Sequence, residues 1–368
     1  MENLALTQRA AFWRGKRVLV TGHSGFKGAW LTLWLHRLGA EVTGIGLPPL
    51  TSPDLFGAAK IDALCRSHFC DIRDGEEVAL LVRAARPDVV FHLAAQPLVR
   101  ASYREPRVTF ETNVMGTVHL LEALRDLASV RVAVMITTDK VYRDLQSPEP
   151  YREDDALGGH DPYSASKAAC EMAIESYRKS FLAAQGVAVA SARAGNVIGG
   201  GDWSQDRLIP DAVRAWQAGE TLQVRRPRAV RPWQHVLEPL AGYLALAQHL
   251  WERPLLAGAY NFGPAAGGAV AVRDLIELAR VVYGEGEVDY AVSDDGPHEA
   301  AWLALENAKA ESVLGVAPAW TLIEAVKRTM AWYRAHREGA AARALCEADI
   351  AAFEFRAAAA PAAIKLAG

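Results

Sequence analysis

Cysteine is scarce in this sequence: Cys65, Cys70, Cys170 and Cys346 are the only four in 368 residues. No two are spaced as C-x-x-C and none has a histidine companion at ligand spacing. That excludes a zinc site and a disulfide framework, and scattered thiols suit a reducing compartment. A basic surplus is missing as well: the net charge of −3 argues against a general nucleic-acid or acidic-membrane surface. No apolar run approaches the roughly 20 residues that span a bilayer, and Met1 to Arg14 lacks the apolar core of a secretory leader. We therefore expect a soluble, cytoplasmic protein with no membrane, nucleic-acid or metal partner. No internal repeat is visible. What the chain does have is apolar mass: 51% of its residues are hydrophobic, enough to core one large domain or two closely joined ones.

Lys16-Arg17-Val18-Leu19-Val20-Thr21 has the pattern of a short buried strand. It runs into Gly22-His23-Ser24-Gly25-Phe26-Lys27-Gly28 and then an apolar helix through Gly39. Glycines at every third position allow a tight turn and close approach of backbone to a pyrophosphate, and the helix start offers free N–H groups to the anion. The competing explanation is an ordinary Gly-rich turn. Trp30 and Trp34, four apart, are expected in the core. Glu41 to Gly46 is the second strand. The acid that would bind adenosine ribose hydroxyls at its end is missing, because Leu47-Pro48-Pro49 follow. No arginine stands there to pair a 2′-phosphate either, which leans toward NAD over NADP. Asp71-Ile72 ends the next strand, either meeting the adenine or lying in a solvated loop.

Asp88 to Pro97 is a strand running out into Leu93-Ala94-Ala95-Gln96, whose small residues would let the backbone approach a diphosphate and ribose. Arg107 to Ala128 has the pattern of one long amphipathic helix. Asn113 within it is either a packing amide or a site residue. Val132 to Thr137 is a buried strand, so Thr137-Thr138-Asp139-Lys140 falls at its carboxyl end, where open α/β sheets bind ligands. Asp161-Pro162 is a helix start for Tyr163-Ser164-Ala165-Ser166-Lys167. Tyr163 and Lys167 share a helix face, where an ammonium can hold a phenol near its ionised form. Val187 to Ala192 is a further strand. After Arg193 the alternation of strand and helix breaks down. Gly199-Gly200-Gly201-Asp202-Trp203 suggests a flexible turn. Arg225, Arg226, Arg228 and Arg231 cluster around Pro227, with Arg231 favoured for a diphosphate pocket and the others for solvent. Ala259 to Gly263 is a last strand, and Ala357 to Gly368 is an Ala-rich tail expected to fray.

Together, Gly22–Gly28, Thr137–Lys140, Tyr163–Lys167, Arg193–Trp203 and Arg231–Val236 resemble the extended short-chain dehydrogenase/reductases, and within them the CDP-glucose 4,6-dehydratases. The similarity runs from about Phe12 to about Phe355. It implies an α/β fold: a Rossmann-type doubly wound parallel sheet (1–192 plus 230–265) with a smaller C-terminal mixed α/β lobe for a sugar nucleotide (193–229 plus 266–356). It implies NAD as cofactor, CDP-glucose as substrate and a homodimer or higher homo-oligomer paired through two helices. Tyr163 would be the base for the sugar C4 hydroxyl, with Lys167 lowering its pKa and Thr138 holding the C4 oxygen. Asp139 would protonate the leaving C6 hydroxyl, and Lys140 would take the C5 proton or steady the enolate.

By the same resemblance Gly22, Ser24, Gly25, Phe26, Lys27, Gly28, Asp71, Ile72, Leu93, Ala94, Ala95, Gln96, Thr137, Tyr163 and Lys167 would hold the cofactor. Gln96, Asn113, Asn196, Arg207, Leu208, Arg231 and His235 would hold the substrate. Two other functions stay open: a sugar-nucleotide epimerase of the same fold, and a non-catalytic NAD-binding sensor.

Overall fold

The structure is a computed structural model and describes residues 11–144, 149–265, 268–290 and 302–359. Ser147-Pro148, which the sequence pattern places in a loop, and the Ala-rich tail from 360 onward lie outside them. Seven parallel strands make the central sheet: β1 (Arg17–Thr21), β2 (Glu41–Gly46), β3 (Arg66–Phe69), β4 (Val89–His92), β5 (Val132–Ile136), β6 (Ala188–Ala194) and β7 (Ala259–Phe262). Their spatial order is β7-β6-β5-β4-β1-β2-β3. Val18 of β1 pairs with Val42 on one side and Val89 on the other. The order therefore reverses beside β1, and the crevice at the carboxyl ends there is where such sheets take ligands.

Side chains alternate between the two faces of each strand. Val18, Val20, Phe91, Val134 and Ile136 enter a large apolar cluster on one face. Leu19, Val90, Ala133 and Met135 enter a second cluster on the other. Burial on both faces is why these strands look like continuous apolar runs in the sequence.

The helices used below are α1 (Phe26–Arg37), α2 (Gly75–Ala85), the helical run 106–124 (α3), α4 (Pro162–Tyr177), α5 (Leu208–Ala218), α6 (Leu237–Glu252), α7 (Val272–Tyr283), α8 (Leu322–Arg337) and α9 (Ala342–Ala359). Trp30 and Trp34 of α1 are buried, as their spacing implied. Among the described residues no helix is long and apolar enough to cross a membrane.

Three expectations are corrected. The run through α3 is not one uniform α-helix: Pro106–Phe110 gives way to a π turn at Glu111–Met115 and then to Gly116–Leu124. It ends before Ala128 because Arg125 leaves the helical region (φ −64°, ψ 138°). Gly199 to Gly201 are buried rather than flexible; a Cβ on Gly200 would meet the Trp332 ring at 2.0 Å, so glycine there serves close packing. The C-terminal helix continues to Ala359, past the expected onset of fraying at Ala357. It is tied down where Trp34 Nε1 donates to Glu354 (2.8 Å) and Arg343 donates to the Ala59 carbonyl (2.7 Å).

Helix α4 begins where the sequence indicated. Pro162 sits in its first turn and Asp161 caps it, accepting from the Ser164 N–H at 3.0 Å and the Ser164 hydroxyl at 2.6 Å. Asp161→Ala should lower stability by about 1 kcal/mol, the usual cost of losing such a cap. Urea unfolding measures it, and an unchanged midpoint would contradict the capping role.

Candidate active site

Strand β5 delivers Thr137 and Thr138 to the carboxyl edge of the sheet, and a single 3₁₀ turn, Asp139–Val141, follows. Helix α4 presents Tyr163 and Lys167 beside it, and loops after β4 and β6 close the space. The result is a cavity of about 430 Å³ lined by Lys27, Thr138, Lys140, Tyr163, Lys167, Asn196, Arg207, Leu208 and Arg231, among others. Asp139 has no exposed surface and lies under it. The Lys140 ammonium donates to Asp139 Oδ1 at 2.9 Å and to Asn196 Oδ1 at 3.3 Å. Thr138 Oγ1 donates to the same Asp139 oxygen at 3.0 Å. The second carboxylate oxygen, Oδ2, is buried with no protein partner. A buried polar atom left unpaired is costly, so such an atom at a cavity points to a ligand group that completes it.

Burial pushes the Tyr163 phenol up to about 12; the Thr138 hydrogen bond pulls against it and the Asp139 charge adds to it. Burial pulls Lys167 below its ordinary value, with Cys170 and Glu171 opposing. Its ammonium has one long hydrogen bond, to the Ile136 carbonyl at 3.4 Å. The phenol is therefore not poised as a base by protein groups alone. A further cation beside it is needed, and an oxidised nicotinamide ring carries that charge.

The Gly-rich turn fits a dinucleotide. Gly22 has φ +75°, and a Cβ there would meet the Ala94 nitrogen at 2.7 Å. A Cβ on Gly28 would meet the Gly22 carbonyl at 2.0 Å. Helix α1 starts at Gly25 with no side-chain cap and no acid in its first turn. Its leading N–H groups are thus left for an anion. Ser24 fastens the turn to the end of β2 by donating to the Leu47 carbonyl at 2.6 Å. The two basic side chains of the turn point inward. His23 Nε2 meets Ser67 Oγ at 2.7 Å, and burial lowers this imidazole to about 4. Lys27 donates to the Tyr243 hydroxyl at 3.2 Å, and burial, aided by Arg207, lowers it to about 7. The Gly22–Gly28 backbone, Leu93–Ala95 and Lys167 are the residues that would hold NAD.

Several expected site residues stand elsewhere. Asn113 is 1% exposed, in the π turn of α3; it accepts from the Gln96 N–H at 2.8 Å and donates to Ser166 Oγ at 2.9 Å. Its amide is consumed as a packing tie, not offered to substrate. The Gln96 side chain closes its own loop, donating to Thr109 Oγ1 (2.9 Å) and accepting from the Leu98 N–H (2.6 Å), and so does not face the cavity. His235 lies in the core between Trp30 and Trp320, with no exposed surface and a pKa lowered to about 3 by burial. It cannot touch substrate. Asp71 and Ile72 follow β3 at the carboxyl edge of the sheet, where Asp71 pairs with Arg73 at 2.5 Å and Ile72 is buried against Gly116. Arg225 is exposed, as expected, and with Arg226 and Arg231 also lines the cavity. Sequence reasoning also missed Asp206, which lies 3.7 Å from both Arg100 and Arg225 at the cavity wall. It missed Glu171 as well, although Tyr163, Lys167 and Glu171 recur at a helical spacing of four.

The family described as GDP-mannose 4,6 dehydratase matches residues 19–329. A CDP-glucose 4,6-dehydratase of Salmonella typhimurium is 44% identical over 334 residues, 89% of this chain and 93% of that protein. A dTDP-glucose 4,6-dehydratase of Streptomyces griseus is 30% identical, covering 87% and 94%. Among solved structures, a dTDP-glucose 4,6-dehydratase of Bacillus anthracis in complex with NAD superposes with a TM-score of 0.72 at 23% identity, covering 88% of this chain and 97% of the other.

Gly28→Ala should weaken NAD binding at least about tenfold, because the added methyl forces the turn open against backbone. Titration calorimetry would measure it, and an unchanged affinity would contradict the cradle.

Proposed function

The chain belongs to the GDP-mannose 4,6 dehydratase family, and from that premise we propose that it is a hydro-lyase converting CDP-D-glucose to CDP-4-dehydro-6-deoxy-D-glucose, for deoxysugar biosynthesis. The likeness to the Salmonella enzyme supports CDP-glucose as substrate. Arg225, Arg226 and Arg231 at the cavity wall suit a diphosphate. NAD, when bound, takes up the C4 hydride and returns it at C6.

The chain's own residues then have these tasks. Tyr163 Oη takes the proton of the C4 hydroxyl, with Lys167 holding the phenolate and Thr138 Oγ1 steadying the C4 oxygen. The resulting ketone acidifies the proton on C5. Lys140 Nζ takes that proton while Asp139 protonates the departing C6 hydroxyl, so water leaves across C5–C6. Lys140 afterwards returns a proton to C5.

The observation that carries this reading is the Asp139–Lys140 contact at 2.9 Å, whose lysine lines the same cavity as Tyr163. An aspartate–ammonium pair and a carboxylic acid–amine pair differ only by one proton, lost from Nζ and carried by the carboxyl on Oδ2. The second form is the acid and base that elimination requires. The unpartnered Asp139 Oδ2 suits the leaving hydroxyl. Epimerisation needs Tyr163 and Lys167 but gives this pair no task.

Incubation with CDP-, dTDP-, GDP- and UDP-glucose and NAD tests the reading: a 4-keto-6-deoxy product from CDP-glucose supports it, and a product that keeps its C6 hydroxyl would overturn it. Tyr163→Phe should slow turnover by about 10²–10⁴-fold. Asp139→Asn and Lys140→Met should block water loss while still permitting C4 oxidation, visible as reduced-nicotinamide absorbance; full product rates in both would refute the pair.

We also propose a homodimer through α3 and α4. Phe110 and Met115 on α3 and Met172 on α4 are 40%, 45% and 60% exposed, an apolar face that pairing would cover. Sedimentation at micromolar concentration should give at least a dimer, and a monomer alone would contradict it.

A further inference from the structure

Behind the cavity, on the face of α4 that carries Tyr163 and Lys167 but one turn further along, lies a second charged group that the reaction itself does not use. Glu171 is 4% exposed, one turn beyond Lys167. Its Oε1 accepts from the Thr137 hydroxyl, and its Oε2 accepts from Ser191 Oγ at 2.7 Å and Arg193 Nη2 at 2.9 Å. Arg193 is 4% exposed and donates onward through Nη1 to the Tyr142 hydroxyl (2.9 Å) and the Glu153 carbonyl (3.0 Å). Tyr142 in turn donates to Asn261 of β7 at 2.6 Å. One carboxylate thus joins the helix that carries Tyr163 and Lys167 to the ends of β5 and β6. Thr137, which it holds, is the residue before Thr138.

Stability alone is a poor reason for such a pair. Taking two charges out of water costs about as much as their attraction returns, and well-packed apolar substitutes often do as well or better. Position and charge remain as reasons. We infer that Glu171, locked to Arg193, is a positioning residue for the dehydration: it fixes α4 against the ends of β5 and β6 and places a carboxylate one turn from the Lys167 ammonium.

The charge matters because Lys167 is otherwise poorly supported. The titratable groups around it are Lys27 of α1, His92 of β4, Asp139 and Lys140 after β5, Arg193 of β6, and Tyr163, Cys170 and Glu171 on its own helix. His92 is held neutral by burial and hydrogen-bonds Thr21 at 2.7 Å. Lys27 is basic, and any charge it carries disfavours the ammonium of Lys167. Glu171 opposes burial and raises the Lys167 pKa. Deleting its charge removes that support and lowers Lys167 further. Because the working form of Lys167 is protonated, activity should then fail at a lower pH.

The inference rests on the dehydratase function proposed above, and the test separates the two. Wild type, Glu171→Gln, Glu171→Asp and the double variant E171M/R193M, each with NAD, are compared for kcat and KM on CDP-glucose across pH, together with their thermal melts. We expect Glu171→Gln to lose about 10²-fold in kcat, the scale of a misplaced catalytic group, with KM unchanged. Its alkaline limb should fall by about one pH unit, and Glu171→Asp should restore the limb. The double variant should melt near the wild-type temperature yet stay slow. A double variant that is both stable and fully active would overturn the inference by showing the pair to be structural only. So would a Glu171→Gln pH profile with unmoved limbs. A wild-type protein that makes no 4-keto product from CDP-glucose would overturn the substrate assignment itself, and with it this inference.

Discussion

A charged pair, a fully buried Asp139 against a Lys140 whose side chain is 23% exposed, is the constraint around which this molecule is arranged. Asp139 has no exposed surface and one of its oxygens has no protein partner. Charges in such places are expensive, and a structure keeps them only when neighbours compensate them or chemistry requires them. Here the compensation is short and local: Thr138 and Lys140 both donate to Oδ1. The uncompensated oxygen lies beneath the cavity, where a sugar hydroxyl would complete it.

The rest of the chain supplies a place for that pair. A seven-stranded parallel sheet buried on both faces sends loops to one edge, and the strand order reverses beside β1. The Gly-rich turn after β1, the pair after β5 and the Tyr163 helix therefore converge, although they are far apart in sequence. Packing then refines their positions. The π turn in α3 carries the Asn113 amide to Gln96 and Ser166, and Glu171 with Arg193 holds the other flank of α4. The cationic ring of the cofactor would favour ionisation of a phenol that burial holds in its protonated form.

Much of this was legible in the chain. Apolar runs gave the strands, because parallel strands are buried on both faces. Gly22–Gly28, Thr137–Lys140 and Tyr163–Lys167 marked the carboxyl edge where these segments gather, because backbone approach to phosphate and a phenol–ammonium pair both demand fixed spacings. What stayed hidden depends on contacts between distant segments. Asn113 looked like a ligand because it is polar amid apolar neighbours, and Gln96 and His235 by resemblance, yet each is spent on an internal partner or packed in the core. A π turn leaves no periodic signature, so α3 looked regular. The glycines at 199–201 suggested mobility, whereas Trp332 and Leu55 press on them. Glu171 was visible at the spacing of Tyr163 and Lys167, but only the fold shows that Thr137, Ser191 and Arg193 meet it.

The central claim is that the hydrogen removed from C4 is the one delivered to C6 of the same sugar, with water lost between the two events. CDP-glucose carrying deuterium on C4, incubated with the protein and NAD and read by NMR of the product, tests this directly. The account predicts a 4-keto-6-deoxy sugar with deuterium in its C6 methyl group. Deuterium retained on C4 of a sugar that still bears its C6 hydroxyl would contradict it.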